Sequence, residues 1–262
     1  MDDRAISAAL ADLPLGGLRF FRSLGSTNDE ALNWAAQGAP DLSIVVADEQ
    51  TAGRGRSGRK WLTPPGSALA LSVILRSSEI ERTLPSRISG LGALAILQAC
   101  QGLGLRPQIK WPNDVLLNGR KVAGILVESE WAGNLLHASI LGLGINVAAA
   151  AVPPEEQLSF PATSLESEQG HPVERLGLLH DILSGLLEWR AQIGTPRFIQ
   201  SWENALAFRS ELVFVGREGE PALRGTLLGL EADGSLRLMS DDMPTIVHVG
   251  EIHLRPSNDR IG

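Results

Sequence analysis

Cysteine is almost absent from this chain: Cys100 is the only one in 262 residues, so no intramolecular disulfide can form. Its setting, ALAILQACQ, reads as a buried apolar helix position rather than a nucleophile, and the reading is a protein of a reducing compartment. Long apolar runs are missing as well. No stretch of about 18 residues is free of charge or turn punctuation, and the opening MDDRAISAAL carries acids where a secretory signal would carry bases. A cytoplasmic protein without membrane contact is expected. Histidine is sparse: residues 137, 171, 180, 248 and 253 are scattered with no H-E-x-x-H grouping, which argues against a protein-held zinc. No Ser-His-Asp elbow is present. Positive charge is in deficit, with 23 Lys and Arg against 30 Asp and Glu for a net charge of −7, so general affinity for nucleic acid is not expected.

What is present is a 44% hydrophobic chain long enough for one sizeable core, or for one large domain and a small appendage. Against its acidic background the segment TAGRGRSGRKW, residues 51–61, concentrates three glycines and four cationic side chains. Gly53, Gly55 and Gly58 satisfy G-x-G-x-x-G, and Gly53 to Gly58 has P-loop glycine spacing. Both readings fail on context. A dinucleotide fold or a P-loop needs a helix after the last glycine, but RKWLTPPGS follows, with Pro64, Pro65 and Gly66 opposing one. The P-loop also needs Lys then Ser or Thr where this chain has Arg59 and Lys60. LSIVVADEQ (42–50) and ALALSVIL (68–75) read as strands, leaving a strand, a flexible cationic loop and a strand. Glycines allow close backbone approach to a ligand, and Arg54, Arg56 and Arg59 offer planar forks for carboxylate or phosphate. A solvated surface loop satisfies the same composition.

In IKWPNDVLLNGRKVAGILVE, residues 109–128, Asn118-Gly119 between apolar runs predicts a two-residue hairpin turn. A tight register pairs Leu117 with Arg120, Leu116 with Lys121 and Asp114 with Ala123, placing Asp114, Leu116, Lys121 and Ala123 on one face. A surface cross-strand ion pair is the plain alternative. LGLGINV (141–147) reads as a strand whose Gly142 and Gly144 share a face, either beneath something flat or at a bulge. GSTNDEALNWAA opens a helix, with Thr27 and Glu30 spaced as a capping box. Further helices are read in RLGLLHDILSGLLEWRAQ and PRFIQSWENALAF. From about residue 210, ELVFVG, LRGTLLGL, SLRLMS and TIVHVG, split by turns such as Asp233-Gly234, read as a compact all-β unit.

Taken in order, STN, GRGRSGRKW, KWPND, RKVAGILVE and GLGIN resemble the biotin protein ligase (biotin–acetyl-CoA-carboxylase ligase) family over residues 20–256. The resemblance implies an α/β (α+β) fold: a mixed-sheet catalytic domain of the biotin/lipoate ligase type at 1–208, then a small C-terminal β-barrel at 209–262. It implies an ATP-dependent ligase that makes biotinyl-5'-adenylate and passes the biotinyl group to a lysine of a biotin carboxyl carrier protein. Biotin and ATP are then substrates, with Mg²⁺ as accessory, and a homodimer is compatible. Catalytic roles would fall to Arg54, Arg56, Lys110, Lys121 and Asp114. Biotin would meet Ser26, Thr27, Asn28, Gln50, Gly53, Arg54, Arg56, Lys121, Gly124, Gly142 and Gly144. The nucleotide would meet Arg56, Arg59, Trp61, Asn113, Asp114, Asn146 and Arg255, with Asp114 holding the metal. Some family members carry a winged-helix repressor domain, for which the roughly 20 residues before STN are too few, so a monofunctional enzyme is expected. Ser57 stands where another arginine often appears. A lipoate or octanoate ligase or transferase of the same fold, and a non-catalytic biotin- or nucleotide-binding protein, are the alternative functions.

Overall fold

The computed structural model describes residues 1–76, 84, 86–132, 135–216, 222–248 and 253–256. After a short helix, α1 (Asp3–Ala9), strand β1 (Gly17–Phe21) runs into α2 (Thr27–Ala36) and on to β2 (Ser43–Ala47), which lies parallel to β1. The two strands read on either side of the cationic loop are there: β2 pairs antiparallel with β3 (Ala68–Arg76). Next come α3 (Arg87–Gly102) and a run of antiparallel strands, β4 (Pro107–Lys110), β5 (Asp114–Leu117), β6 (Arg120–Ala132) and β7 (Leu135–Asn146). The seven strands form one mixed sheet in the order β1-β2-β3-β7-β6-β5-β4, so β7 folds back to sit beside β3 at its centre.

The period of two sorts the strands into two faces. Leu69, Leu71 and Val73 of β3, Leu141, Leu143 and Ile145 of β7, and Ala123 and Ile125 of β6 face a fully buried core with Ile88, Leu91 and Leu94 of α3. Each large aliphatic side chain there contributes about 1.5–3 kcal/mol on burial. α3 lies close because Gly92 has no side chain: a Cβ would stand 2.8 Å from Leu143 Cδ2 and 3.0 Å from Leu141 Cδ1. Cys100 is buried in this helix, as expected, and desolvation pushes its thiol up to about 12.

The opposite face is different. Cross-strand partners point to the same side, so Ala70, Gly144, Gly124 and Asp114 make one row across β3, β7, β6 and β5, and Ser72, Gly142 and Leu126 make the next. α2 packs its Ala31 and Ala35 on one end of this face, against Val45, Ile74 and Ile140. The remainder, nearly without side chains, lies beneath the cationic loop.

The helices α4 (Leu165–Gln169), α5 (Arg175–Arg190) and α6 (Pro196–Asn204) follow; α5 and α6 fall where the apolar periodicity placed them. Thr195 caps α6 through Phe198 N–H, with Pro196 at its first turn. Strands β8 (Leu212–Gly216), β9 (Leu223–Leu230), β10 (Leu236–Ser240), β11 (Met243–Val247) and β12 (His253–Pro256) then form an antiparallel sheet in the order β11-β10-β9-β8-β12. The expected barrel is therefore corrected to a sheet: closure requires its outermost strands to pair, and among the described residues β11 and β12 do not. The sheet docks through the β9–β10 turn, where Trp111 Nε1 donates to Gly234 O at 3.0 Å and the buried Arg87 donates to Ala232 O.

Candidate active site

The site is built on the hairpin β5–β6, and its register departs from the simple expectation. Leu116 faces Lys121 as read, but the register shifts between Leu116 and Val115, so Asp114 faces Gly124 rather than Ala123. A bulge inserts one residue, which puts Lys121 and Gly124 on the same face and turns Ala123 into the core. Lys121 can then lie across Gly124: a Cβ there would meet its Nζ at 3.1 Å. The ammonium reaches Asp114 Oδ1 at 2.6 Å, and Lys110, one strand over, lies 3.6 Å from Oδ2. Burial would raise the Asp114 carboxyl, but Lys121, then Lys110 and Arg59, outweigh it and hold the group below its ordinary value. Lys110 also lies 4.0 Å over the ring of Phe160. Two cations around one carboxylate leave this corner electropositive in an acidic protein.

The cationic loop closes over that corner. Gly55 N–H donates to Arg59 O at 2.7 Å and Trp61 N–H to Gly53 O at 2.9 Å, so residues 53–61 form a small hairpin turning at Ser57 (φ 55°) and Gly58 (φ +72°). Gly53 permits the closure, since a Cβ would come 2.5 Å from Trp61 O. Arg56 donates to Asn113 Oδ1 at 3.3 Å, while Asn113 is itself fixed by paired hydrogen bonds with the Ile125 backbone, 2.8 Å each. Arg54 is held elsewhere, in a two-pronged contact with Asp29 at 2.6 Å and with Glu128 at 3.2 Å. Its hydrogen bonds to Asp29, followed by the charge of Glu128, raise the guanidinium above its ordinary value despite partial burial. Trp61 lies over the glycine strip: a Cβ on Gly144 would meet its ring at 2.5 Å, and its buried Nε1 has no hydrogen-bond partner among the described residues.

At the far end of the strip is a polar group. Gln50 Oε1 accepts from Thr27 N–H at 2.8 Å and from Thr27 Oγ1 at 3.1 Å, and its amide donates to Thr63 Oγ1 at 3.3 Å. Ser72 donates to Asn28 Oδ1 at 2.6 Å and lies 2.8 Å from Thr27 Oγ1. Asn28 fills the space above Gly142, where a Cβ would be 2.3 Å from its Oδ1. The capping box is corrected here. The N-cap is Ser26, whose side chain makes no capping bond; Gln50 serves the helix end instead, and Glu30 pairs with Arg19 at 2.7 Å. A pattern of spacing cannot show that a carboxamide from another segment has taken the first turn's donors.

Residues 20–146 match the model of the Biotin/lipoate A/B protein ligase family. A biotin–[acetyl-CoA-carboxylase] ligase of Paracoccus denitrificans is 36% identical over 236 residues, covering 87% of this chain and 96% of that one. The chain belongs to the biotin protein ligase family. The bifunctional ligase/repressor BirA of Bacillus subtilis is 38% identical over 61% of this chain and 49% of its own length. The biotin protein ligase from Aquifex aeolicus in complex with biotin and ATP superimposes with a TM-score of 0.79 at 29% identity, over 92% of this chain and 99% of that one.

Within this biotin protein ligase fold, most residues singled out from the sequence gather at three places, the polar end (Ser26, Thr27, Asn28, Gln50), the glycine strip and the electropositive corner under the loop, whereas the Arg54 side chain is held away from that corner by Asp29 and Glu128. Asn146 lies apart from the charged corner, buried at the end of β7, where its amide donates to Thr163 O at 3.0 Å. Arg255 lies on β12 opposite Phe214, and its side chain falls outside the described residues. Ser72, Asp29, Glu128 and Phe160 were not foreseen. Ser72 was legible in principle as the one polar residue inside the apolar run ALALSVIL, a position that has to find a partner. The donor set does not fit a resident cation: Asp114 already faces two ammonium groups, and the described residues contain no group of three or more His, Cys, Asp or Glu side chains able to hold one. Among the described residues no helix is long and apolar enough to cross a membrane.

Proposed function

We propose that this chain is a cytoplasmic ATP-dependent biotin ligase that forms biotinyl-5'-adenylate and transfers the biotinyl group to a lysine of a biotin carboxyl carrier protein. Residues 1–208 would carry the chemistry and 209–262 the docked C-terminal sheet. The observation that carries this is the Lys110–Asp114–Lys121 cluster at one end of a strip nearly without side chains, whose other end offers the uncharged hydrogen-bonding groups of Thr27, Gln50 and Ser72. That polarity matches a ligand with a neutral hydrogen-bonding head and an anionic tail.

The ureido head of biotin would meet Thr27, Asn28 and Gln50, its rings would displace or share the space of Trp61 over Gly144 beside Asn28 over Gly142, and its carboxylate would reach Lys121. The carboxylate oxygen then attacks the α-phosphorus of ATP. The bond to the bridging oxygen breaks and pyrophosphate leaves with its electrons. Two anions must meet, and at an effective dielectric of about 20 one cation at about 4 Å offsets roughly 4 kcal/mol of their repulsion. Lys121 and Lys110 supply that charge from the sheet, Arg56 and Arg59 from the loop, and Asn113 adds a polar contact. In the second step the carrier's lysine amine attacks the acyl carbon and AMP leaves. The closed loop shields the mixed anhydride from water until then.

Pyrophosphate release measured with ATP and biotin, lipoate or octanoate in parallel arms tests the reading. Release specific to biotin supports it, release specific to the other acids favours the lipoate-type alternative, and no release with any acid favours a binding protein.

A further inference from the structure

Arg54 does not point its fork at the reaction corner. Its guanidinium is committed to two carboxylates, Asp29 in the first turn of α2 and Glu128 on β6. The contact with Asp29 is bidentate, two hydrogen bonds of 2.6 Å, the geometry in which Arg is least replaceable by Lys. The backbone of Arg54 opens the small loop hairpin by bridging to Lys60, so whatever fixes Arg54 also fixes Arg56 and Arg59 farther along. Glu128 is itself held: Asn28 Nδ2 donates to it at 2.7 Å, and Asn28 in turn accepts from Ser72. A continuous polar chain therefore runs from the neutral end of the strip to the base of the loop.

The geometry points to a latch, Asp29–Arg54–Glu128, that holds the GRGRSGRKW loop shut, with Asp29 and Glu128 acting as positioning residues for Arg56 and Arg59. This gives Arg54 a role distinct from its sisters in the loop: it grips the protein, and they face the anions. Because Asn28 touches both the latch and the polar group at Thr27 and Ser72, occupation of the neutral end of the strip is coupled to loop closure. The second arm of the test below rests on the ligase reading; the first does not.

Asp29→Asn and Glu128→Gln remove one charge each with almost no change of shape. In the ligand-free protein, limited trypsin digestion reads loop opening through cleavage after Arg56, Arg59 and Lys60. Both variants should be cut several-fold faster there than the parent at an unchanged thermal midpoint, and Asp29→Glu should restore slow cleavage. With biotin and ATP, the same two variants should lose adenylate several-fold faster than the parent, seen as biotin labelling of a bystander such as serum albumin. Parental cleavage rates in both variants would overturn the latch, as would faster cleavage that Asp29→Glu fails to restore. A parent that releases no pyrophosphate refutes the ligase reading and leaves the digestion arm to decide the latch alone.

Discussion

Asp114 sets the terms for its neighbours, because a buried carboxylate is tolerated only while cations surround it. Lys121→Ala should abolish adenylation, at least 100-fold in pyrophosphate release, and should also cost about 1–3 kcal/mol of stability because Asp114 loses its 2.6 Å partner. The double variant Lys121→Ala/Asp114→Asn should regain most of that stability and none of the activity; chemical denaturation beside the activity assay separates the two effects. The pH dependence follows with a definite sign. The folded-state value of Asp114 lies below its ordinary 3.8, so the pair's contribution is fully present above that value and is lost as pH falls through the lower, folded one. Removing Lys121 brings the folded value back up, so acid unfolding followed by circular dichroism should begin at higher pH in Lys121→Ala than in the parent, whereas Lys121→Arg should behave nearly as the parent.

The β9–β10 turn joins the C-terminal sheet to the segment that carries Lys110, Asn113 and Asp114. Trp111, 1% exposed, donates to Gly234 O, and Gly234 at φ +90° leaves only 2.8 Å between a would-be Cβ and the Trp202 ring. Trp111→Phe keeps an aromatic side chain but removes the Nε1 donor and part of the buried ring system, so it should destabilise by about 1–3 kcal/mol in denaturant unfolding, and it should raise the KM for ATP more than it lowers kcat, since it loosens the support of the binding corner rather than the reacting groups. Elements themselves were largely legible. Asn118-Gly119 marked the hairpin because both turn residues take φ > 0, 49° and 74° here, which Asn and Gly accept most readily. The bulge beside it was not, because RKVAG fits a regular strand equally well; only packing decides that Ala123 enters the core while Gly124 turns to the site. The same holds for Trp61, which pattern placed in a ligand-binding loop but whose seat over Gly144 depends on β7 lying between β3 and β6.

Over the whole molecule, the sequence shows two β-containing units but not strand order or closure, which long-range pairing settles: nothing in LGLGINV says that it returns to the centre of the sheet, and nothing in the short strands after residue 210 says whether their sheet closes. Charge is different, since it sums over the chain. A net charge of −7 surrounds a corner where Lys110, Lys121, Arg56 and Arg59 serve one small area. ATP, a polyanion, is repelled by the global field and drawn by the local one, and the balance depends on distance. The Debye length falls from about 30 Å at 0.01 M salt to about 8 Å at 0.15 M, so added salt first removes the long-range repulsion and only later weakens the short-range attraction. In the proposed reading biotin's neutral head meets the far end of the strip, where the contacts would be hydrogen bonds that salt screens little. The second-order rate of ATP association, measured by stopped flow, should therefore change less than tenfold from 0.01 to 0.15 M salt, with a shallow maximum between, while the affinity for biotin amide, which lacks the carboxylate, should stay flat. A steep monotonic fall in ATP association would mean that a positive field dominates the approach, contrary to the acidic surface, and a salt-sensitive affinity for biotin amide would place its head at the charged corner instead.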